Sequence, residues 1–117
     1  MWGIEFFDDF EPEFDKFSET VQDALLIKLK ILEERGPTTS RPLVDTLNGS
    51  KHANMKELRF NADDGVWRVA LAFDPERKGV VLVAADKSGV SEKRFYQTLI
   101  AVADARFDKH LAALRKE

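Results

Sequence analysis

The seven residues WRVALAF, Trp67 to Phe73, constrain the fold more than any other part of the chain. Trp67, Val69, Leu71 and Phe73 alternate with Arg68, Ala70 and Ala72. Successive side chains of a strand point to opposite faces, so the pattern predicts a β-strand with one bulky face and one small, partly charged face. Asp64-Gly65 just upstream is a hairpin signal, and Leu58 and Phe60 before it supply a matching apolar pair. A strand from Met55 to Phe60 is therefore expected to pair with one from Trp67 to Phe73. With Asp64 and Gly65 in the turn, Phe60 faces Val69 and Leu58 faces Leu71. A one-residue slip would set Phe60 against Arg68 and is rejected. In this register Arg59 faces Ala70, and Asn61 faces Arg68. The two arginines become diagonal neighbours, roughly 7–8 Å apart. They share an open face with Glu57, and the alanines beside them leave a shallow trough.

The remaining pattern surrounds this hairpin. Trp2, Ile4 and Phe6 alternate and predict an N-terminal strand. PEFDKF reads as a short helix, with Asp8 and Asp9 as cap candidates and Pro12 in its first turn. Ser18 caps a second helix, whose stripe of Val21, Ala24, Leu25, Leu29 and Leu32 runs to Glu34. Gly36 and Pro37 end it. A loop follows, with a short strand at Leu43 to Leu47. A further strand spans Val80 to Ala85, joined to its predecessor through DPERKG. A last helix runs from about Ser91 to Ala113, with Phe95, Leu99, Val102, Phe107, Leu111 and Leu114 on its apolar side. Helices bunched around an antiparallel meander of three to four strands mean an α+β fold. The 117 residues suit a single domain, 1–117.

Charge is unevenly spread. The net formal charge is −3. Residues 1–34 hold three basic and ten acidic side chains, and residues 35–117 hold fifteen and eleven. The strand region leans basic, so one face can attract a polyanion. With no cysteine in the chain, disulfides, thiolate metal sites and cysteine nucleophiles are excluded. His52 and His110 stand in no ligand-spaced motif, so neither a metal nor a cofactor is expected. No apolar run reaches membrane-spanning length, and the opening MWGIEFFDDFEPEF lacks the basic start of a signal peptide. The expected setting is cytoplasmic.

The stretch KHANMKELRF concentrates Lys51, His52, Lys56 and Arg59 at the entrance of a strand. Lys87 follows the last strand, and Arg94 and Tyr96 open the last helix. Each has a plain structural reading. Arg59 can be neutralised by Glu57 two residues away, the lysines can sit in water, His52 can be a turn residue, and Tyr96 can rest at a rim. Their joint placement around one end of a small sheet points instead to a site that handles phosphate. Arginine suits that task because its planar fork holds two oxygens at once.

The series RGPTTSRPLVDTLNGSKHANMKELR, WRVALAFDPERKGVVLVAADKSG and RFYQTLIAVADARFDKHL resembles the HigB-type branch of the RelE/ParE toxins of bacterial toxin–antitoxin modules. The resemblance covers nearly the whole chain. It implies a compact RelE-like fold, ribosome-dependent cleavage of mRNA, and a co-encoded antitoxin of helix-turn-helix type. By motif it assigns Lys56 and Arg59 to the basic positions of the first meander strand, and Arg68 to the start of the next. Lys87 matches the basic residue after the last strand, and Tyr96 the tyrosine of the terminal segment. With His52 as candidate proton acceptor, these form the expected catalytic set, and Lys51 and Arg94 are expected to bind RNA. The partners implied are antitoxin, mRNA and ribosome, with no membrane, and the toxin alone is expected to be monomeric. Two rival readings stand beside this one: a ParE-like gyrase inhibitor, and a non-catalytic module whose basic trough docks a partner's helix.

Overall fold

The predicted hairpin is the centre of a five-stranded sheet in the computed structural model, which describes residues 2–116. Elements run β1 (Gly3–Phe6), α1 (Phe10–Asp15), α2 (Glu19–Arg35), a 3-10 turn (Gly36–Thr38), β2 (Val44–Thr46), β3 (Met55–Ala62), β4 (Gly65–Phe73), β5 (Lys78–Asp86) and α3 (Glu92–Arg115). The sheet order is β1-β5-β4-β3-β2. β1 joins the edge parallel to β5, and the other neighbours are antiparallel. The α+β expectation therefore holds, with one addition: the N-terminal strand closes the sheet beside β5. α1 begins two residues earlier than PEFDKF suggested, and its Asp9 cap makes no side-chain hydrogen bond.

The turn differs from the sequence expectation by one position. Asp63 and Asp64 form it, with φ of 53° and 61°, as a two-residue hairpin loop with both φ positive requires. Aspartate tolerates that region because its short side chain bonds locally. Gly65 is needed for close approach: a Cβ there would come within 2.7 Å of Trp67 Nε1 and 2.8 Å of Asp86 Oδ2. Pairing moves by two residues, so Leu58 faces Val69, Phe60 faces Trp67 and Arg59 faces Arg68. A two-residue shift preserves which face each side chain takes.

Both faces of the sheet are covered. On one, Val21, Leu25, Leu29 and Leu32 of α2 and Phe10 of α1 pack on Leu58, Phe60, Val69, Leu71, Phe73 and Val81. Ser18 Oγ accepts from Val21 N at 3.3 Å and starts α2 as predicted. On the other, Phe95, Leu99, Ala103 and Phe107 of α3 pack on Met55, Ala70, Ala72, Val80 and Leu82. The open trough over the alanines is thus corrected. Ala70 and Ala72 are fully buried, because small side chains let a helix approach the sheet. A bulge in β5 makes room for this. Ala70 pairs with Val83 and Leu71 with Val81, so Leu82 is the extra residue, and Leu82 and Val83 both join the α3 side.

Candidate functional site

Where α3 begins, its first turns leave the ends of β3 and β4 uncovered, and there the polar residues gather. Arg59 and Arg68 are direct cross-strand partners. Like charges in that relation destabilise a sheet unless each is met elsewhere. Arg59 turns to β2: its Nε donates to Glu57 Oε1 at 2.7 Å and a terminal nitrogen lies 4.0 Å from Asp45 Oδ2. Arg68 turns to α3: its Nε donates to the Tyr96 hydroxyl at 3.3 Å and a terminal nitrogen to the Trp67 carbonyl at 3.0 Å. The guanidinium groups diverge and leave space between them.

An open cleft of about 390 Å³ lies on the Arg59 side, lined by Asp45, Thr46, Leu47, Glu57, Arg59, Glu92, Lys93 and Tyr96 among others, and Arg68 borders it through its hydrogen bond to Tyr96. Lys87 stands past the end of β5, with Nζ donating to Glu92 Oε1 at 3.1 Å. The lining holds two cations, Arg59 and Lys93, and three carboxylates, Asp45, Glu57 and Glu92, with Arg68 and Lys87 beside it. Glu92 is highly exposed and contributes little against an arriving anion. Glu57 is only 2% exposed and its Oε2 has no hydrogen-bond partner among the described residues. Burial pushes the Tyr96 pKa up, the Glu57 carboxylate pushes it further, and Arg68 pulls it back. The Glu57 carboxylate raises Arg59 as well. The arrangement sets Arg59 and a protonated phenol at the cleft, with Arg68 bonded to that phenol.

Another cleft, about 640 Å³ between β1 and α2, is larger. Three carboxylates, Glu5, Glu11 and Glu33, line it against Lys30. None of the expected site residues lines it, so size does not mark the site here.

Comparisons with known proteins bear on the family and the fold. Residues 12–108 match the family described as "Phage derived protein Gp49-like". Two Mycobacterium tuberculosis proteins named as toxins, HigB2 and HigB3, are each 44% identical to the chain over 85 residues. The chain belongs to this Gp49-like, HigB-type toxin family. The matched stretch covers 72% of the chain and 42% of HigB2, and 73% of the chain and 72% of HigB3. The chain thus spans less than half the length of the first of these relatives. The solved structure of a mutant of the E. coli toxin RelE in the free state superposes with a TM-score of 0.62 at 16% identity. It covers 86% of this chain and 94% of RelE, so the fold is RelE-like.

In this HigB-type chain the expected site residues divide. Arg59, Arg68, Lys87 and Tyr96 come together as described. Lys56 does not join them: it alternates with Glu57 and Arg59 and lies on the α2 face with Leu58. Arg94 is exposed and sits on the opposite flank of Phe95 from Tyr96. Lys51 and His52 belong to another place. His52 Nε2 meets Asp108 Oδ1 at 2.8 Å, the ring stands edge-on to Phe107 at 4.9 Å, and Lys51 Nζ pairs with the same Asp108. Tyr96 and Asp108 are twelve residues apart on one helix, about 18 Å along its axis. The sequence placed these residues at one strand entrance, but the loop before β3 turns toward the second half of α3. Glu57 was read only as a neutraliser of Arg59. Its signal was a carboxylate at an inward position of a central strand, between Met55 and Arg59 on the same face.

Among the described residues, Glu5, Asp74 and His110 bring three ligand-type atoms within 4.8 Å of one another. Asp74 is already engaged there. Its Oδ1 accepts from the backbone N–H of Glu76 and Lys78, and its Oδ2 meets His110 Nε2 at 2.8 Å. No described helix is long and apolar enough to cross a membrane.

Proposed function

We propose that this chain is the toxin of a toxin–antitoxin module and cleaves mRNA on the ribosome, with the ribose 2′-hydroxyl as nucleophile and side chains alone as catalysts. The observation that carries the reading is the cross-strand pair Arg59 and Arg68 beside a cleft that Arg59 and Tyr96 line, with Arg68 bonded to Tyr96 and Lys87 to Glu92 at its edge. The arginines hold the phosphate oxygens and stabilise the charge of the transition state, where preorganised donors contribute most. Tyr96 takes part in proton transfer, and Lys87 protonates the leaving 5′-oxygen. The near-balanced charge of this region suits a protein that meets RNA already held by the ribosome. A co-encoded antitoxin of helix-turn-helix type blocks the site, and the toxin acts as a monomer in the cytoplasm.

The test is to add the purified protein to mRNA alone and to the same mRNA on translating ribosomes. The expected result is cleavage only with ribosomes, leaving a 2′,3′-cyclic phosphate and a 5′-hydroxyl. Intact mRNA in that assay, with gyrase-dependent DNA breaks in expressing cells, would replace this reading by the ParE-like one.

A further inference from the structure

The buried Glu57 carboxylate is the group in the cleft that stability does not account for. It lies in the middle of β3 facing α3, in a layer otherwise made of Met55, Ala70 and Leu99. One oxygen is held by Arg59 Nε. The other, Oε2, is buried and meets no donor within ordinary hydrogen-bond distance among the described residues, and the hydroxyl that interacts with the carboxylate is that of Tyr96. A buried acceptor without a donor is costly, more so when it carries charge, and such an atom in a folded protein calls for a reason. Beside it stands Tyr96, whose hydroxyl accepts from Arg68 Nε and therefore has its own proton free to give. The Glu57 charge is felt at that hydroxyl.

We propose that Glu57 is the final proton acceptor of the cleavage reaction and acts through Tyr96, which touches the substrate. This rests on the nuclease reading above. Tyr96 Oη receives the 2′-hydroxyl proton while its own proton passes to Glu57 Oε2. The freed 2′-oxygen uses its electron pair to bond to phosphorus. The bond from phosphorus to the 5′-oxygen breaks, and that oxygen takes a proton from the Lys87 ammonium. Glu57 is left as the acid and Lys87 as the amine, and exchange with water restores both.

The raised Tyr96 pKa fits a relay, because a phenol that resists ionisation alone must lose its proton as it gains another. The strand order fits as well. Glu57 is on β3, Arg68 on β4 and Lys87 past β5. β3 and β5 lie two strand spacings apart, about 10 Å, with Arg68 between them. Along the strands Glu57 is level with Ala70 and Lys87 with Val66, so acceptor and donor lie on either side of Arg68.

The experiment measures ribosome-dependent cleavage by the full chain and by Glu57→Gln, which keeps the shape and the acceptor for Arg59. The expected result is a fall in kcat of about 10²-fold or more, within the range of acid–base catalysis, with KM changed less than about threefold. A substrate with sulfur in place of the bridging 5′-oxygen then separates the roles, since a thiolate leaves without a proton. On it the Glu57→Gln deficit persists and a Lys87→Ala deficit disappears. Tyr96→Phe provides the second variant. It loses a similar factor, and the double variant loses no more, because both residues serve one transfer. Wild-type rates in Glu57→Gln, rescue of that variant by sulfur, or multiplying losses in the double variant would each overturn the proposal while the nuclease reading stands. No cleavage by the wild-type protein would remove both.

Discussion

The α3 face of the sheet carries two polar clusters, one at each end of the helix. At the second half of α3 the network is complete. Asp108 holds His52 and Lys51, Asp104 holds Ser50 Oγ and the Lys51 backbone N–H, and Ser50 Oγ holds the His52 backbone N–H. Lys51 and His52 hold Asp108 below the usual carboxylate range. At the first turns the network is incomplete: two arginines face each other across strands and one buried carboxylate oxygen is unpartnered. A closed polar network fixes a loop, and an open one has capacity for a ligand. On the proposed reading His52 serves the loop and Arg68 the chemistry, although the sequence offers both as catalytic candidates.

The largest effect expected is at Arg68. Arg68→Ala should lower ribosome-dependent cleavage about 10²–10³-fold, as loss of one preorganised donor does elsewhere, with the thermal midpoint nearly unchanged. His52→Ala should do the reverse. Equilibrium unfolding in urea should show a loss of about 1–3 kcal/mol from a broken, partly buried hydrogen bond, with cleavage within about twofold of wild type. A stable His52→Ala protein without cleavage would merge the two clusters into one site.

Acid sharpens the same contrast. Burial alone would raise the Asp74 carboxyl, but hydrogen bonds from His110 and from the Lys78 and Glu76 backbone outweigh it and hold the pKa low. A carboxyl lowered on folding contributes stability that is present above its unfolded value, about 3.9, and is lost as pH falls through its folded value. Stability should therefore fall steeply below about pH 4, and Asp74→Asn should flatten that fall in pH-dependent melting curves. Asp108 is shifted the same way but is exposed, so it should add little. The smallest effect is expected at Lys56, on the opposite face of the sheet. Lys56→Ala should change cleavage by less than about twofold, and a larger loss would show that the substrate wraps around the β3 edge.

Much of the fold was legible because strand alternation and helix stripes report directly on burial. The faces of β3 and β4, the Ser18 cap and the α2 stripe all follow from spacing. Two features did not. The turn moved to Asp63-Asp64 because Gly65 is needed against Trp67 and Asp86, a tertiary contact that local turn chemistry does not encode. The alanine face looked open because Ala70 and Ala72 are as compatible with a solvent trough as with a close helix. Arg59, Arg68, Lys87 and Tyr96, singled out by residue type and position, do lie near one another at one end of the sheet. Lys51 and His52 were misplaced because adjacency in sequence does not fix which way a loop turns. Glu57 was undervalued because its burial depends on α3, which lies more than thirty residues further along the chain.

The most direct test is to map mRNA 5′ ends in cells after brief induction of the wild type, Arg68→Ala and His52→Ala. The account predicts ends inside reading frames at one codon phase for wild type and His52→Ala, and none above background for Arg68→Ala. Equal ends from Arg68→Ala, or intact mRNA in all three cultures, would contradict it.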